Sequence, residues 1–185
     1  NNFNLEDCTI GIYNTSQLQK MVSVLGNSIN INLKKVDERA IAVGMDDSDV
    51  SLNYMLADLD IIPKAPKLKQ IPDTTVTVKI DNDFITKFVK AKNALSDSDN
   101  FTVTSNGNIT QVILGESDTN TNKININVKT ESSDKMSAIS FNANYLKEIL
   151  AANRDHTEGK MEVCAGGLAI ITFNNTDYTS KYYLV

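Results

Sequence analysis

One order of predicted elements, a strand, a helix and three further strands, occurs three times along this 185-residue chain. The three stretches cover residues 9–57, 75–129 and 138–185. Each one opens with alternating apolar residues, which predict a strand, and continues with apolar residues at helical spacing. A repeat at a period of roughly 60 residues requires the same supersecondary unit in each copy. The sequence therefore predicts an α+β protein built of repeated β-α-β-β-β units.

The middle copy carries the clearest signals. Val76, Val78 and Ile80 alternate with polar residues and predict a strand. Apolar residues within 85–95 then fall on one face of a helix. Asn106-Gly107 lies between two apolar runs, which is the strongest short signal for a β-hairpin.

The other two copies follow the same order with weaker signals. In the first copy we predict a strand at 10–13, a helix from Asn14 or Thr15 to Leu25, and strands at 29–36, 40–45 and 50–56. In the third copy we predict a strand around 139–141, a helix at 142–153, and strands at 161–164, 168–173 and 180–185.

A segment of different composition separates the first copy from the second. Residues 58–73 contain all three prolines and three lysines, namely Pro63, Pro66, Pro72, Lys64, Lys67 and Lys69. Concentrated proline is typical of a semi-extended connector. We therefore expect three parts. Residues 1–57 are the second half of a first domain, whose first half is missing upstream. Residues 58–73 are a connector, and residues 74–185 are a complete second domain.

The composition excludes several classes of protein. A net charge of −5 does not suit a generic basic nucleic-acid binder, although it permits a local basic face. Two cysteines are too few for a disulfide-built fold or a four-cysteine zinc site. No apolar run approaches the roughly 20 residues that a bilayer span needs, so we expect no membrane association.

Catalytic chemistry has little support in the sequence. The chain contains neither the P-loop nor the dinucleotide-binding glycine motif. The one histidine, His156, lies in a predicted loop, and Cys164 lies within a predicted strand, where a buried thiol is inert. The acidic run 46–49 lacks the loop and terminal glutamate of a calcium site. We therefore predict neither an enzyme nor a bound cofactor or metal.

The predicted helices are basic or neutral, whereas most acidic residues lie in strands and turns. Lys87 and Lys90 lie opposite the apolar face of the middle helix, Lys20 lies on the first helix, and Lys147 flanks the apolar stripe of the third. Repetition of this bias on three helices indicates one surface that meets phosphate. No arginine and asparagine pair suited to reading bases is present on them, so we expect no sequence specificity.

These stretches together resemble the DNA polymerase sliding clamps, and most closely the clamps of T-even-type bacteriophages. The similar stretches are 10–14 with 18–25, 80–95, 139–150, 167–173 and 181–185. The closing Lys181-Tyr182-Tyr183-Leu184 also resembles the end of proliferating cell nuclear antigen. The resemblance spans nearly the whole chain and rests on the order of elements.

The resemblance implies a homotrimeric ring of two-domain subunits, with antiparallel sheets outside and helices lining a channel around duplex DNA. Such a clamp performs no catalysis; it tethers DNA polymerase and confers processivity. The implied partners are DNA polymerase and an ATP-dependent clamp loader, in the cytoplasm of an infected bacterial host. The alternative is a phage structural or adhesin-type β-rich interaction protein, which would not require basic helices.

Three sets of residues follow from these expectations. The DNA-facing set is Lys20, Lys87, Lys90, Lys92, Lys147 and Arg154. The partner-binding set, drawn from the connector and the closing strand, is Leu59, Ile61, Ile62, Leu68, Tyr182, Tyr183 and Leu184. The subunit-interface set is drawn from the strand 123–129, predicted at a sheet edge, and from the strand 50–56, which could pair with it across subunits: Val50, Leu52, Tyr54, Ile124, Ile126 and Val128.

Overall fold

The computed structural model describes residues 8–64, 70–115 and 122–185. The chain divides into two compact units, Asn1–Leu68 and Lys69–Val185. This division lies inside the segment 58–73, where the sequence predicts a connector.

Unit 1 contains one helix and one antiparallel sheet. Its elements are α1 (Thr15–Val22), β1 (Asn30–Val36), β2 (Arg39–Asp46), β3 (Ser51–Met55) and a 3-10 turn at Leu59–Ile61. The sheet order is β1-β2-β3, so β1 and β3 are its end strands. The strand predicted at 10–13 is wrong: only Gly11 forms a bridge, with Ala57. A side chain at Gly11 would collide with the Ala57 carbonyl oxygen, so this close approach requires glycine.

Unit 2 contains two helices and nine strands among its described residues. They are β4 (Thr74–Lys79), α2 (Asn82–Ala94), β5 (Asn100–Asn106), β6 (Thr110–Leu114), β7 (Ile124–Asn127), β8 (Thr130–Ser133), β9 (Lys135–Asn142), α3 (Ala143–Ala152), β10 (Glu158–Cys164), β11 (Leu168–Asn174) and β12 (Thr179–Leu184). Two antiparallel sheets have the orders β12-β11-β10-β4-β8 and β7-β6-β5-β9. Strand β8 is absent from the sequence prediction.

The two repeats of unit 2 exchange their opening strands. Strand β4 of the first repeat pairs with β10 of the second, with Val78 opposite Met161. Strand β9 of the second repeat pairs with β5 of the first, with Phe141 opposite Phe101. Each sheet therefore needs a strand from both repeats, which makes unit 2 one folding unit rather than two.

The main core of unit 2 gathers side chains from both sheets and both helices. Phe88 of α2 is fully buried, and its ring meets that of Phe101 edge to face with centroids 5.5 Å apart. Leu146 and Leu150 of α3 are fully buried in the same cluster. Burial of each such side chain contributes about 1.5–3 kcal/mol. This core fixes α2 and α3 in place, so their outward faces form a defined surface.

The predicted hairpin at Asn106-Gly107 is confirmed. Gly107 has a φ of 92°, a conformation that glycine adopts without strain. The Asn106 side chain accepts hydrogen bonds from the backbone N–H groups of Asn108 and Ile109. The turn joins β5 to β6 and sets their register, with Val103 opposite Val112.

Candidate functional site

Helix α2 begins at a well-formed cap. Asp81 is its N-cap residue, and its Oδ1 accepts a hydrogen bond of 2.9 Å from the backbone N–H of Phe84. Its Oδ2 also forms an ion pair of 2.8 Å with Nζ of Lys129. The Lys129 ammonium, followed by the Phe84 N–H, lowers the pKa of the Asp81 carboxyl. Asp81 thus fixes the start of the helix that carries Lys87 and Lys90.

Lys87 and Lys90 both project from the exposed face of α2, as predicted. Lys87 forms an ion pair of 2.7 Å with Asp83, one helical turn earlier, and both side chains remain more than half exposed. Lys90 is exposed as well. Because the Lys87–Asp83 pair is exposed, water screens it and leaves the Lys87 ammonium able to exchange partners.

Helix α3 lies beside α2 and extends the same surface. The half-buried Lys147 donates a hydrogen bond of 2.9 Å from Nζ to Oδ1 of Asn93 on α2. Arg154, which follows α3, is exposed, and so is Glu148, the one acid of this helix. Lys147 therefore links two helices and keeps its charge at the edge of their common surface.

The prediction that Lys92 faces DNA is wrong. Its side chain is only 4% exposed. Its Nζ donates a hydrogen bond of 2.6 Å to the backbone oxygen of Ser96, just past the end of α2. Lys92 lies one turn after Phe88 on the buried side of the helix, where it binds a backbone carbonyl of the segment that follows α2.

Helix α1 of unit 1 carries Lys20 on an exposed side. Asn14 is its N-cap residue and accepts a hydrogen bond of 2.9 Å from the backbone N–H of Gln17, which confirms the predicted start. None of its residues is fully buried, although the apolar stripe around Leu18 and Met21 is half-buried. Lys20 is exposed, as the sequence predicts.

An open groove of about 570 Å³ runs between α2 and β7. Its walls are Lys87, Lys90, Ala91, Ala94, Ile124, Asn125, Ile126 and Asn127. The sequence analysis did not predict this groove, since it requires knowing that β7 lies next to α2. Lys87 and Lys90 of α2 therefore lie next to β7, the end strand of its sheet.

The strand predicted at a sheet edge, β7, is an end strand of its sheet among the described residues, and so is β3, its predicted partner across subunits. Two of their side chains are nevertheless unsuitable as interface contacts. Tyr54 is 6% exposed and donates its hydroxyl to the backbone oxygen of Asn14 within unit 1. Ile126 is 7% exposed and belongs to the core of unit 2. Leu52, Val50, Ile124 and Val128 are half-buried.

Some of the predicted partner-binding residues are buried in the core, and others are exposed. In the closing strand, Leu184 is 7% exposed, so its assignment to a partner site is wrong. Tyr182 packs against the same core and accepts a hydrogen bond of 3.0 Å from the Asn153 side chain, which makes it a core contact as well. Tyr183 points the other way and is 45% exposed.

Three connector residues of this set are described, and they lie in unit 1. Leu59 and Ile61 are exposed, and Ile62 is half-buried next to Gly11. Leu68 lies outside the described residues.

Residues that could support catalysis are engaged in structural contacts. His156 places Nδ1 2.6 Å from the Asn153 carbonyl oxygen and Nε2 3.1 Å from that of Ile80. Cys164 is buried, and desolvation raises the pKa of its thiol. In the parts of the chain that the structure describes, no cluster of three or more metal-ligating side chains occurs, and no helix has the length and apolar character to span a membrane.

The architecture has a solved counterpart. The crystal structure of proliferating cell nuclear antigen from Entamoeba histolytica matches with a TM-score of 0.72 over 96% of this chain and 71% of that chain. The chain has the DNA-clamp fold. The fold class predicted from the repeats is thereby confirmed.

This clamp-fold chain shares only 18% of aligned residues with the Entamoeba protein, so the likeness is one of structure. No protein-family model matches the chain. No curated protein sequence matches it significantly either. The fold, and no residue motif, therefore relates this chain to its structural neighbour.

Proposed function

We propose that this protein is a sliding clamp that encircles duplex DNA and tethers the replicative DNA polymerase. The observation that carries the proposal is the combination of the clamp fold with a helical surface bearing Lys87, Lys90 and Lys147. The role is mechanical, since the clamp holds the polymerase near the template without reacting with either.

The charge distribution supports loose contact with DNA. A net charge of −5 on the whole chain repels the phosphate backbone, while the exposed lysines of α2 attract it locally. Contacts to phosphate carry no sequence information, so the clamp can move along any duplex. We propose Lys20, Lys87, Lys90, Lys147 and Arg154 as the DNA-facing set, without Lys92.

The end strands β3 and β7 support assembly into a head-to-tail homotrimer. Unpaired strand edges invite pairing with another chain. In β3, Leu52 and Tyr54 share one side, and the Tyr54 hydroxyl reaches the N-cap of α1. In β7, Ile124 and Ile126 face the core beneath α2. Pairing β3 with β7 of a second copy would thus keep the apolar sides of both strands on the helical side of a continuous sheet.

The partners follow from the same proposal. Exposed Leu59 and Ile61 suit a short hydrophobic peptide of the polymerase, because such peptides bind through a few buried anchors. An ATP-dependent loader would open the ring. The finer proposal is a clamp of a T-even-type bacteriophage acting in the cytoplasm of the infected bacterium, and it rests on the stretches of sequence that resemble those clamps.

A double charge reversal tests the DNA-facing assignment. Lys87→Glu with Lys90→Glu should reduce the fraction of the full-length protein that its loader places on nicked circular DNA and leave its fold and trimer intact. Removing one lysine–phosphate interaction should reduce the slope of log affinity for duplex DNA against log salt concentration by about 0.9. Lys135→Glu with Lys181→Glu is the matched control, because both residues are exposed on strands and the charge change is equal. Equal loading of the two double variants would exclude α2 from the DNA-binding surface.

A further inference from the structure

A row of four side chains crosses the outward face of the larger sheet of unit 2. Lys160 on β10 lies opposite Lys79 on β4 and opposite Thr172 on β11. On the other side of Thr172, Lys181 of β12 completes the row. Residues directly opposite each other in a sheet project to the same side. The residues next to them in sequence project the other way and pack in the core, namely Val78, Met161, Ile171 and Tyr182. The row therefore lies on the side of the sheet that faces away from the core.

The hydroxyl of Thr172 has no hydrogen-bond partner, although the residue is only 8% exposed. Among the described residues, its Oγ1 is the only buried side-chain nitrogen or oxygen atom in this condition. Buried polar groups in folded proteins nearly always have a partner, and each exception calls for an explanation. The hydroxyl is therefore free to donate to an acceptor that approaches this face between Lys160 and Lys181.

The lysines of this row also have little negative charge around them. Lys79 and Lys160 lie directly opposite each other, and like charges in this position destabilise a sheet. Among the described residues, neither Lys79 nor Lys181 forms an ion pair, whereas Lys160 has Glu162 at 3.3 Å. An anion above Thr172 would accept the free hydrogen bond of the hydroxyl and offset the repulsion between the lysines at the same time.

We infer that Thr172, Lys160 and Lys181 form a carboxylate-binding site for an acidic segment of a partner protein. The Thr172 hydroxyl donates to a carboxylate oxygen, and the two flanking ammonium groups balance its charge. Neighbouring strands lie about 4.8 Å apart, so the backbones at Lys160 and Lys181 are about 10 Å apart with Thr172 midway. Lys79 adds a further positive charge beside Lys160. The inference goes beyond the proposed function, because this site requires neither DNA nor the ring.

The surroundings of the row favour a carboxylate over nucleic acid. Duplex DNA at the helical surface would lie on the other side of the core. Glu158 and Glu162 lie two residues before and after Lys160, on the same face of β10. Two residues along a strand span about 7 Å, so a chain of phosphates along β10 would meet both acids, whereas one carboxylate over the row lies apart from them.

The first test locates binding by NMR of the threonine methyl groups in the full-length protein. During titration with an oligoglutamate peptide, we expect a saturable shift of the Thr172 signal and none at Thr130, an exposed threonine of β8 in the same sheet. Neutral oligoglutamine should shift neither signal. Lys181→Gln should weaken the binding seen at Thr172 about tenfold, because a hydrogen bond to a charged group is lost. Lys135→Gln, an exposed lysine of β9 in the other sheet, is the matched control and should bind as wild type does.

The second test uses Thr172→Val, which removes the hydroxyl and keeps the shape of the side chain. Calorimetry with oligoglutamate is done in a protein that also carries Lys87→Glu and Lys90→Glu, so that the lysines of α2 do not compete. We expect Thr172→Val to weaken binding about tenfold, and the matched control Thr130→Val to leave it unchanged. Because the hydroxyl has no partner in the free protein, the thermal midpoint of Thr172→Val should equal or exceed that of the parent.

Several outcomes would overturn the site. They are a Thr172 signal that does not shift, equal affinity with and without the hydroxyl, and a lowered thermal midpoint of Thr172→Val, which would give the hydroxyl a structural partner. Oligodeoxythymidylate that shifts the Thr172 signal at lower concentration than oligoglutamate does would replace the acidic peptide by single-stranded nucleic acid. Inorganic phosphate that is as effective as oligoglutamate would reduce the row to a site for an adventitious ion only. The ring and its DNA contacts are unaffected by any of these results.

Discussion

Substitutions of Asp81 measure how much its helix cap and its ion pair each contribute to the stability of the fold around α2. It caps α2 through the Phe84 N–H and pairs with Lys129. Asp81→Ala removes both interactions, and loss of an N-cap costs about 1 kcal/mol. Asp81→Asn removes only the charge, because asparagine caps a helix about as well as aspartate. The free-energy difference between the two variants should therefore be about 1 kcal/mol.

The effect of pH separates the charge from the cap. The pKa of Asp81 is lowered in the folded protein from an ordinary value of 3.8. A lowered pKa stabilises the fold above the ordinary value, and this stabilisation is lost as pH falls through the folded pKa. The advantage of wild type over Asp81→Asn should thus be full near neutral pH and shrink below about pH 3.8. The difference between Asp81→Ala and Asp81→Asn should persist.

Urea unfolding followed by circular dichroism measures these differences over a series of pH values. Lys135→Ala, an exposed residue at the start of β9, is a control for general surface effects. Equal stability of Asp81→Ala and Asp81→Asn at neutral pH would refute the capping role. A stability gap between wild type and Asp81→Asn that is the same at every pH would refute the role of the Lys129 ion pair.

Three further predictions concern other sites. Lys92→Met should destabilise unit 2 by about 1 kcal/mol, because the Ser96 carbonyl loses its donor, yet leave loading onto DNA unchanged; reduced loading of a folded variant would restore Lys92 to the DNA-facing set. Ile61→Ala should weaken binding of the cognate polymerase's C-terminal peptide by about 1–2 kcal/mol in calorimetry, whereas unchanged affinity would move the partner site elsewhere. The backbone N–H groups of Gly26, Asp49 and Val50 donate to the Asp47 carboxylate and lower its pKa. Protonation of Asp47 as pH falls below 3.8 should therefore raise the hydrogen-exchange rates of these three amides above the intrinsic rates measured in a peptide. Rates equal to the intrinsic ones would contradict the role of Asp47 in this loop.

Elements with strong periodicity could be predicted from the sequence, and those with polar or broken patterns could not. Helix α2 and the strands β10 and β11 follow from apolar residues that recur at a regular spacing. Strand β8, Thr-Glu-Ser-Ser, has no apolar residue, and only its pairing with β4 makes it a strand. The strand predicted at 10–13 has the right alternation but lacks a described neighbour beyond the bridge to Ala57.

Site residues were harder to predict, because burial depends on the packed structure. Lys92 lies four residues after Phe88, on the buried side of α2, so a complete helical wheel already contained the signal against it. Alternation in β12 sends Tyr182 and Leu184 inward together, which argued against using either as a surface contact. The groove between α2 and β7 could not be predicted, since no local pattern specifies which strand lies beside a helix.

The central claim is that the protein holds DNA by encircling it. The most direct measurement loads the full-length protein onto nicked circular DNA with its loader, and then compares retention before and after the circle is cut once. An encircling clamp stays on the circle at high salt and slides off the ends of the linear molecule, because loose phosphate contacts alone cannot hold it. The account predicts stable retention on the circle and rapid loss after cutting. The same dissociation rate from both forms would contradict it.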